Sequence, residues 1–167
     1  MSKQPITIGL FGTCDNSTWR NQFISTYQNQ NIEFFNPLKE NWQPKDAQNE
    51  AKHLASDEII LFPILKDSFG LGSLSETGFS ILNAINLNKH RQFVIQIDSD
   101  VQESLKSEKP ELAKLSKNTR AIIQQHLSKL NYDNVYIVNN LNDMLELSLD
   151  LYAIEEAKAK INAKYRN

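Results

Sequence analysis

The sequence predicts an α/β protein in which five parallel strands alternate with helices along the chain. Short apolar runs of strand length recur, and longer segments with apolar residues at helical spacing lie between them. This alternation is typical of a mainly parallel sheet that helices cover on both faces. With 167 residues, of which 40% are hydrophobic and 23% charged, the chain has the size and composition of one globular domain with a substantial core.

The first half of the chain contains three predicted strands. They are short, apolar and bounded by turn or polar residues, and they span Ile6 to Gly12, Ile32 to Pro37 and Asp57 to Leu65. The segment after the first strand predicts a helix, whose apolar face consists of Trp19, Phe23, Ile24 and Tyr27. A polar connection and a helix over 46–56 precede the third strand.

The second half predicts two further strands, Gln92 to Asp98 and Asn134 to Asn139, each preceded by a helix. The first of these helices follows a glycine-rich loop and covers 74–87. The second starts at Pro110, a residue suited to a first helical turn. Its expected apolar stripe is Leu112, Leu115, Ile122, Ile123, Leu127 and Leu130. A long helix over 141–163 closes the single predicted domain, residues 1–167.

Five strands in this sequence order most simply form a flavodoxin-like, doubly wound sheet with the spatial order 2-1-3-4-5. Ligands of such sheets bind at the carboxyl ends of the strands, where the strand order reverses between strands one and three. Gly12 follows the first strand, and the glycine-rich loop follows the third. The sequence therefore predicts a pocket between these two segments.

Composition narrows the classes of partner. The formal net charge is −2, with 18 basic and 20 acidic residues and no basic cluster, so we expect no binding to duplex nucleic acid.

The lone Cys14 fits a reducing compartment, and the three histidines are too scattered for a structural zinc site. No dinucleotide fingerprint follows the first strand. Without a leader peptide or a membrane-length apolar run, we expect a cytoplasmic protein with no membrane contact, no metal and no cofactor.

Three of the five glycines, Gly70, Gly72 and Gly78, surround one acid, Glu76. A glutamate in a first helical turn commonly complements the helix dipole, so a structural role is the simpler interpretation. The position at the predicted pocket favours a second interpretation, in which Glu76 attacks the anomeric carbon of a nucleoside and a second acid protonates the leaving base. Asp67 is the candidate nearest in sequence, and Asp57 opens the third strand.

Other residues are candidates for substrate binding. Ser68 and Ser73 place hydroxyl groups in the glycine-rich loop, and Asn36 ends the second strand. Trp42 could stack on a base or cover the pocket, although packing against its own domain is the commoner role for a loop tryptophan. Asn before proline is also ordinary turn chemistry, so Asn36 has the same two interpretations.

Four segments together resemble the nucleoside 2-deoxyribosyltransferase-like family: ITIGLFGT, FFNPLKENW, SDEIILFPI and GLGSLSETGFSI. Members of this family cleave or transfer the N-glycosidic bond of deoxynucleosides or deoxynucleotides through a covalent intermediate on a glutamate. The resemblance implies that Glu76 is the nucleophile, that Asp57 or Asp67 assists the base, and that the segment around Gly12 lines the pocket. It also implies that Gly70 and Gly72 frame the substrate.

A rival interpretation is a non-catalytic nucleotide-binding or sensor domain that retains the fold. It is favoured by Leu10, which stands on the first strand where the family's transferases have tyrosine. In both interpretations the partner is a small nucleoside or nucleotide. The apolar side chains of the closing helix, from Leu141 to Ile161, further predict a homo-oligomer.

Overall fold

The computed structural model describes residues 6–14, 17–41, 43–87 and 90–165, and within these ranges it confirms the predicted fold. The strands form one parallel sheet in the order β2-β1-β3-β4-β5. They are β1 (Thr7–Leu10), β2 (Glu33–Phe35), β3 (Ile59–Ile64), β4 (Gln92–Ile97) and β5 (Val135–Ile137). The helices are α1 (Arg20–Asn29), α2 (Pro44–Ser56), α3 (Leu71–Glu76), α4 (Leu82–Leu87), α5 (Glu103–Glu108), α6 (Pro110–Leu127) and α7 (Leu141–Tyr165).

Helices cover both faces of the sheet. On one face, apolar residues of β1, β3 and β4 pack with α1 and α7 in a cluster that includes Phe23, Leu61 and Met144. On the other face, Phe62 and Ile95 belong to a second cluster, which α2, α3, α4 and α6 complete. Every residue of β3 and β4 is buried, as expected for central strands of a parallel sheet.

The helix predicted over 74–87 begins earlier and is not uniform. It starts at Leu71 as α3, continues as a π-helical turn from Thr77 to Ile81, and ends as α4. π-helical turns are uncommon and occur frequently at functional sites. Here the π-turn begins directly after Glu76.

The stripe predicted for α6 is wrong in part. Leu115 and Ile122 are 62% and 56% exposed, and the buried residues of this helix are Ala113, Ser116, Arg120 and Leu127. The helix turns its small residues toward the sheet because a fully buried arginine occupies the space between them. Apolar side chains alone therefore do not identify the buried face of this helix.

Arg120 binds the carboxyl ends of β3 and β4. Its guanidinium donates to the carbonyl oxygens of Ile64, Leu65, Ser68 and Asp98 at 2.8–3.0 Å, and its Nε donates to Ser116 Oγ at 3.1 Å. Buried carbonyl groups need hydrogen-bond donors. Arg120 therefore fixes the start of the glycine-rich loop.

A proline in β3 explains the structure of the loop after β1. In the parallel ladder Phe11 N–H donates to Leu61 O at 2.9 Å, so residue 63 would donate in return to Phe11 O, but Pro63 has no N–H. Arg20 supplies the missing donor, with Nη2 lying 3.3 Å from Phe11 O. Gly12 has φ +85°, and a Cβ there would lie 2.4 Å from Pro63 O, so only glycine fits.

The described helices include none that is long and apolar enough to cross a membrane.

Candidate functional site

Glu76 lies where the predicted pocket was expected, on the helix that follows β3. Its side chain is half-buried, and it is close enough to Glu50 of α2 and to Cys14 in the loop after β1 to interact with both electrostatically. Burial raises the pKa of the Glu76 carboxyl, and the negative charge of Glu50 raises this pKa further. The charge of Glu50 thus acts on Glu76, and the charges of both act on Cys14 in the loop that follows Gly12.

Glu50 is a residue that sequence reasoning missed. It lies in α2, the helix that leads into β3, and the helix predicted over 46–56 contains it without any functional role assigned. Helices after parallel strands start at the carboxyl edge of the sheet, so an acid in the middle of α2 can lie near residues that follow β1 and β3. That placement is the signal that could have identified it.

Asp57 does not join this pair of carboxyl groups. It precedes β3, and the six residues of that strand separate it by about 20 Å from the loop that carries Asp67. Its side chain is 3% exposed, and Oδ1 lies 2.8 Å from Nδ1 of His53, whose ring stacks on Phe35 at a centroid distance of 3.7 Å. Asp57 therefore belongs to a partly buried pair at the amino ends of the strands, the opposite edge of the sheet.

The surroundings of Asp57 disfavour its charged form. Burial raises its pKa to about 6, while the hydrogen bond from His53 and the charges of His53 and Arg91 oppose this rise. Its second oxygen, Oδ2, has no hydrogen-bond partner among the described residues. This oxygen lies against the backbone of Gly9, where a Cβ would approach it to 2.9 Å.

Asp67 is exposed and lies in different surroundings from Glu76. It lines a cleft with Lys66 and Asp98, and its charge acts on Arg120. The charge that acts on Glu76 is that of Glu50. These interactions therefore place neither Asp57 nor Asp67, the two aspartates predicted to assist the base, beside Glu76.

The glycine-rich loop divides into residues that the fold requires and residues that it does not. Gly70 has φ +65°, and its N–H donates to Ser68 Oγ at 2.9 Å, which fixes the entry into α3. The carbonyl of the buried Ser73 accepts from the hydroxyl of Thr77 at 2.7 Å. A Cβ on Gly72 would meet nothing within 4 Å, so packing does not explain this glycine.

The two remaining binding candidates differ in what can be said of them. Asn36 Oδ1 accepts from the backbone N–H of Leu38 at 3.0 Å, which is the turn chemistry expected before proline. Trp42 lies outside the described residues.

Among the residues that the structure describes, no group of three or more histidine, cysteine or acidic side chains is arranged to hold a metal ion.

No known protein-family model matches the chain, and no curated protein is significantly similar to it in sequence. The resemblance to the deoxyribosyltransferase-like family therefore stays a prediction, and the site has to be argued from its own geometry.

Proposed function

We propose that the protein cleaves or transfers the N-glycosidic bond of a nucleoside or nucleotide, with Glu76 as the nucleophile and Glu50 as the acid and base. The observation that carries this proposal is the half-buried Glu76 on the helix that follows β3, next to the point between β1 and β3 where the strand order reverses, with the charge of Glu50 acting on it. Glycosyl transfer through a covalent intermediate needs two carboxyl groups with different protonation states.

The reaction proceeds in two steps. In the first, an oxygen of the ionised Glu76 forms a bond to C1′, the bond from C1′ to the base nitrogen breaks, and the electron pair of that bond stays on the base, which takes a proton from Glu50. In the second, water or an acceptor base gives a proton to Glu50 and attacks C1′, and Glu76 leaves as a carboxylate. The reaction therefore requires Glu76 in its ionised form.

The raised pKa of Glu76 predicts how the reaction rate depends on pH. Because burial and Glu50 raise the pKa of Glu76, the reactive carboxylate accumulates only as the pH rises above the usual range of a glutamate. The rate should therefore fall on the acid side with the ionisation of Glu76. Glu50→Gln removes the charge that contributes to the rise, so its acid limb should lie at lower pH when the substrate is an N7-methylated purine deoxynucleoside, whose base leaves without a proton.

The direct test compares Glu76→Gln with the parent protein on a panel of deoxynucleosides and their 5′-monophosphates, with chromatography of the released base. We expect the substitution to lower base release by about a thousandfold or more, because it removes the nucleophile. Glu111→Gln, on the exposed side of α6, is the matched control and should keep the parent rate. A 2-fluoro sugar analogue should add its mass to Glu76 in the parent and not in Glu76→Gln.

A second substrate separates the role of Glu50 from that of Glu76. The base of an N7-methylated purine deoxynucleoside leaves as a neutral molecule and needs no proton. Glu50→Gln should lose activity on ordinary deoxynucleosides and keep it on the methylated one, whereas Glu76→Gln should lose both.

Two results would overturn the proposal. Unchanged base release by Glu76→Gln would remove Glu76 from the reaction. If the parent protein released no base from any compound of the panel, the non-catalytic nucleotide-binding or sensor domain would take the place of the enzyme.

A further inference from the structure

The last helix, α7, is longer than the sheet that it covers. It starts at Leu141, beside the carboxyl ends of the strands, and its first half packs on β3 and β4. Glu155 marks the other end of the sheet, because its Oε1 accepts from Nε2 of Gln92, the first residue of β4, at 3.2 Å. Residues 156–165 therefore run on for about 15 Å of helix past the amino end of this strand.

This terminal segment of α7, residues 156–165, has few ties to the rest of the molecule. None of these ten residues, all of which the structure describes, belongs to either buried cluster. The ion pairs of its side chains lie within α7. Lys158 pairs with Glu155 at 2.7 Å, and Lys160 pairs with Glu156 at 3.3 Å. Because helices in proteins are stabilised mostly by the packing of an apolar face, a surface to pack against would stabilise this segment.

An exposed apolar stripe runs along the segment. Ile154 and Ile161 are 49% and 58% exposed, and Ala157 is exposed between them. Tyr165 continues the stripe by one turn and is exposed as well. The successive spacings of three, four and four residues place these side chains on one face of the helix, as in helices that pack side by side. Large apolar side chains grouped on a surface indicate an interaction site.

The charges of α7 favour a second copy of the same helix as the partner, in the opposite direction. All acidic side chains of α7 lie at or before Glu156, and all its lysines lie at or after Lys158. Two copies in the same direction would place acids beside acids and lysines beside lysines, which is unfavourable. Two copies in opposite directions place the basic end of each helix against the acidic part of the other, and such complementarity fixes orientation.

We propose that the protein forms a two-fold symmetric dimer in which the exposed stripes of two α7 helices pack antiparallel. Ala157 lies near the symmetry axis, and Ile154 of each copy packs against Ile161 of the other. A two-fold axis uses the same patch on both copies, so one self-complementary stripe is sufficient. The small side chain of alanine at the axis lets the two helices approach closely.

This dimer gives a specific form to the homo-oligomer that the apolar side chains of α7 predict. Met144, Leu145 and Leu151 are buried in the core of their own domain, so the stripe is the part of α7 that can serve assembly. The contact lies at the amino ends of the strands. Glu76 follows β3 at the carboxyl edge, so the dimer is independent of the proposed reaction.

Sedimentation equilibrium of the full chain over a series of concentrations tests the dimer. The parent should show a reversible equilibrium between monomer and dimer. Ile161→Gln should raise the dissociation constant by about tenfold or more, because a two-fold dimer carries the substitution twice. Ile122→Gln is the matched control, since this isoleucine is 56% exposed on α6, and it should leave the constant unchanged. A parent that stays monomeric at every concentration, or an Ile161→Gln protein that dimerises like the parent, would overturn the proposal.

Disulfide cross-linking tests the orientation, in a Cys14→Ser background that removes the natural thiol. Ala157→Cys should form a linked dimer on mild oxidation, because residue 157 lies near the axis. Lys164→Cys should not, because the antiparallel arrangement separates the two copies of residue 164 by about 20 Å. A parallel pair would instead bring these two residues together, so efficient cross-linking through Lys164→Cys would refute the antiparallel arrangement.

Discussion

The buried carboxyl of Asp57, which is paired with His53, predicts an unusual dependence of stability on pH. The pKa of Asp57 is raised from 3.8 to about 6 in the folded protein, because burial disfavours its charged form. A group whose pKa is raised on folding stabilises the native state below its unfolded pKa, and this contribution is lost as the pH rises to the folded value. A difference of about two pH units corresponds to about 3 kcal/mol of the free energy of unfolding.

The perturbation is Asp57→Asn, which keeps the shape of the side chain and cannot ionise. From pH 3.5 to pH 7, the free energy of unfolding of the variant should rise by about 3 kcal/mol relative to that of the parent. Most of this change should fall between pH 4 and pH 6. The part of the cost of the substitution that does not depend on pH cancels from this change. His53, Arg91 and Glu58 are the charged or titratable neighbours of Asp57, and they are present in both proteins.

Urea unfolding at a series of pH values measures this difference, with the fluorescence of the buried Trp19 as the signal. Asp150→Asn, at an exposed position of α7, is the matched control and should follow the parent at every pH. If the free energies of the parent and Asp57→Asn run parallel, or if the parent gains on the variant as the pH rises, the argument from burial is wrong.

Three further predictions concern the loops and the chemistry. Arg120→Lys should lower the free energy of unfolding, measured by chemical denaturation, by at least about 3 kcal/mol. A lysine ammonium has three donors and would leave some of the buried carbonyl groups unpaired. Gly70→Ala should destabilise the protein by about 1 kcal/mol or more, because residue 70 has a positive φ. Gly72→Ala should stabilise it by up to about 1 kcal/mol, because alanine is the better helix former. Equal effects of the two substitutions in thermal melts would contradict this reasoning. Base release should persist in excess EDTA, because the two-carboxylate reaction uses no metal; its loss, with recovery on adding a divalent cation, would contradict that reaction.

The sheet was predictable because its strands carry local signals. Each strand is a short apolar run with turn residues on both sides, and the alternation with helices restricts the topology to a few alternatives. The boundaries of β3 and β4 agree with the predicted segments to within two residues. The position of Glu76 followed from the same topology, since the loop after β3 has to lie at the carboxyl edge.

The contacts that complete the site were not predictable in the same way. Arginine is usually a surface residue, so the sequence gives no indication that Arg20 and Arg120 are fully buried. The partner of Glu76 is Glu50, and their approach depends on how α2 and α3 pack rather than on a local pattern. Pro63 lies within the third predicted strand, and no local pattern indicates that Arg20 supplies the donor that this proline lacks.

Arg120 also makes the loop before Glu76 depend on a distant part of the chain. The carbonyl groups that it binds at Leu65 and Ser68 precede it by 55 and 52 residues. During synthesis, therefore, the segment with both proposed reacting acids leaves the ribosome well before the side chain that fixes its loop. A fragment that stops before Pro110 would contain Glu50 and Glu76 and still lack an ordered site. Activity should consequently appear only once α6 has been made and has docked, which couples the start of catalysis to the folding of the last third of the chain.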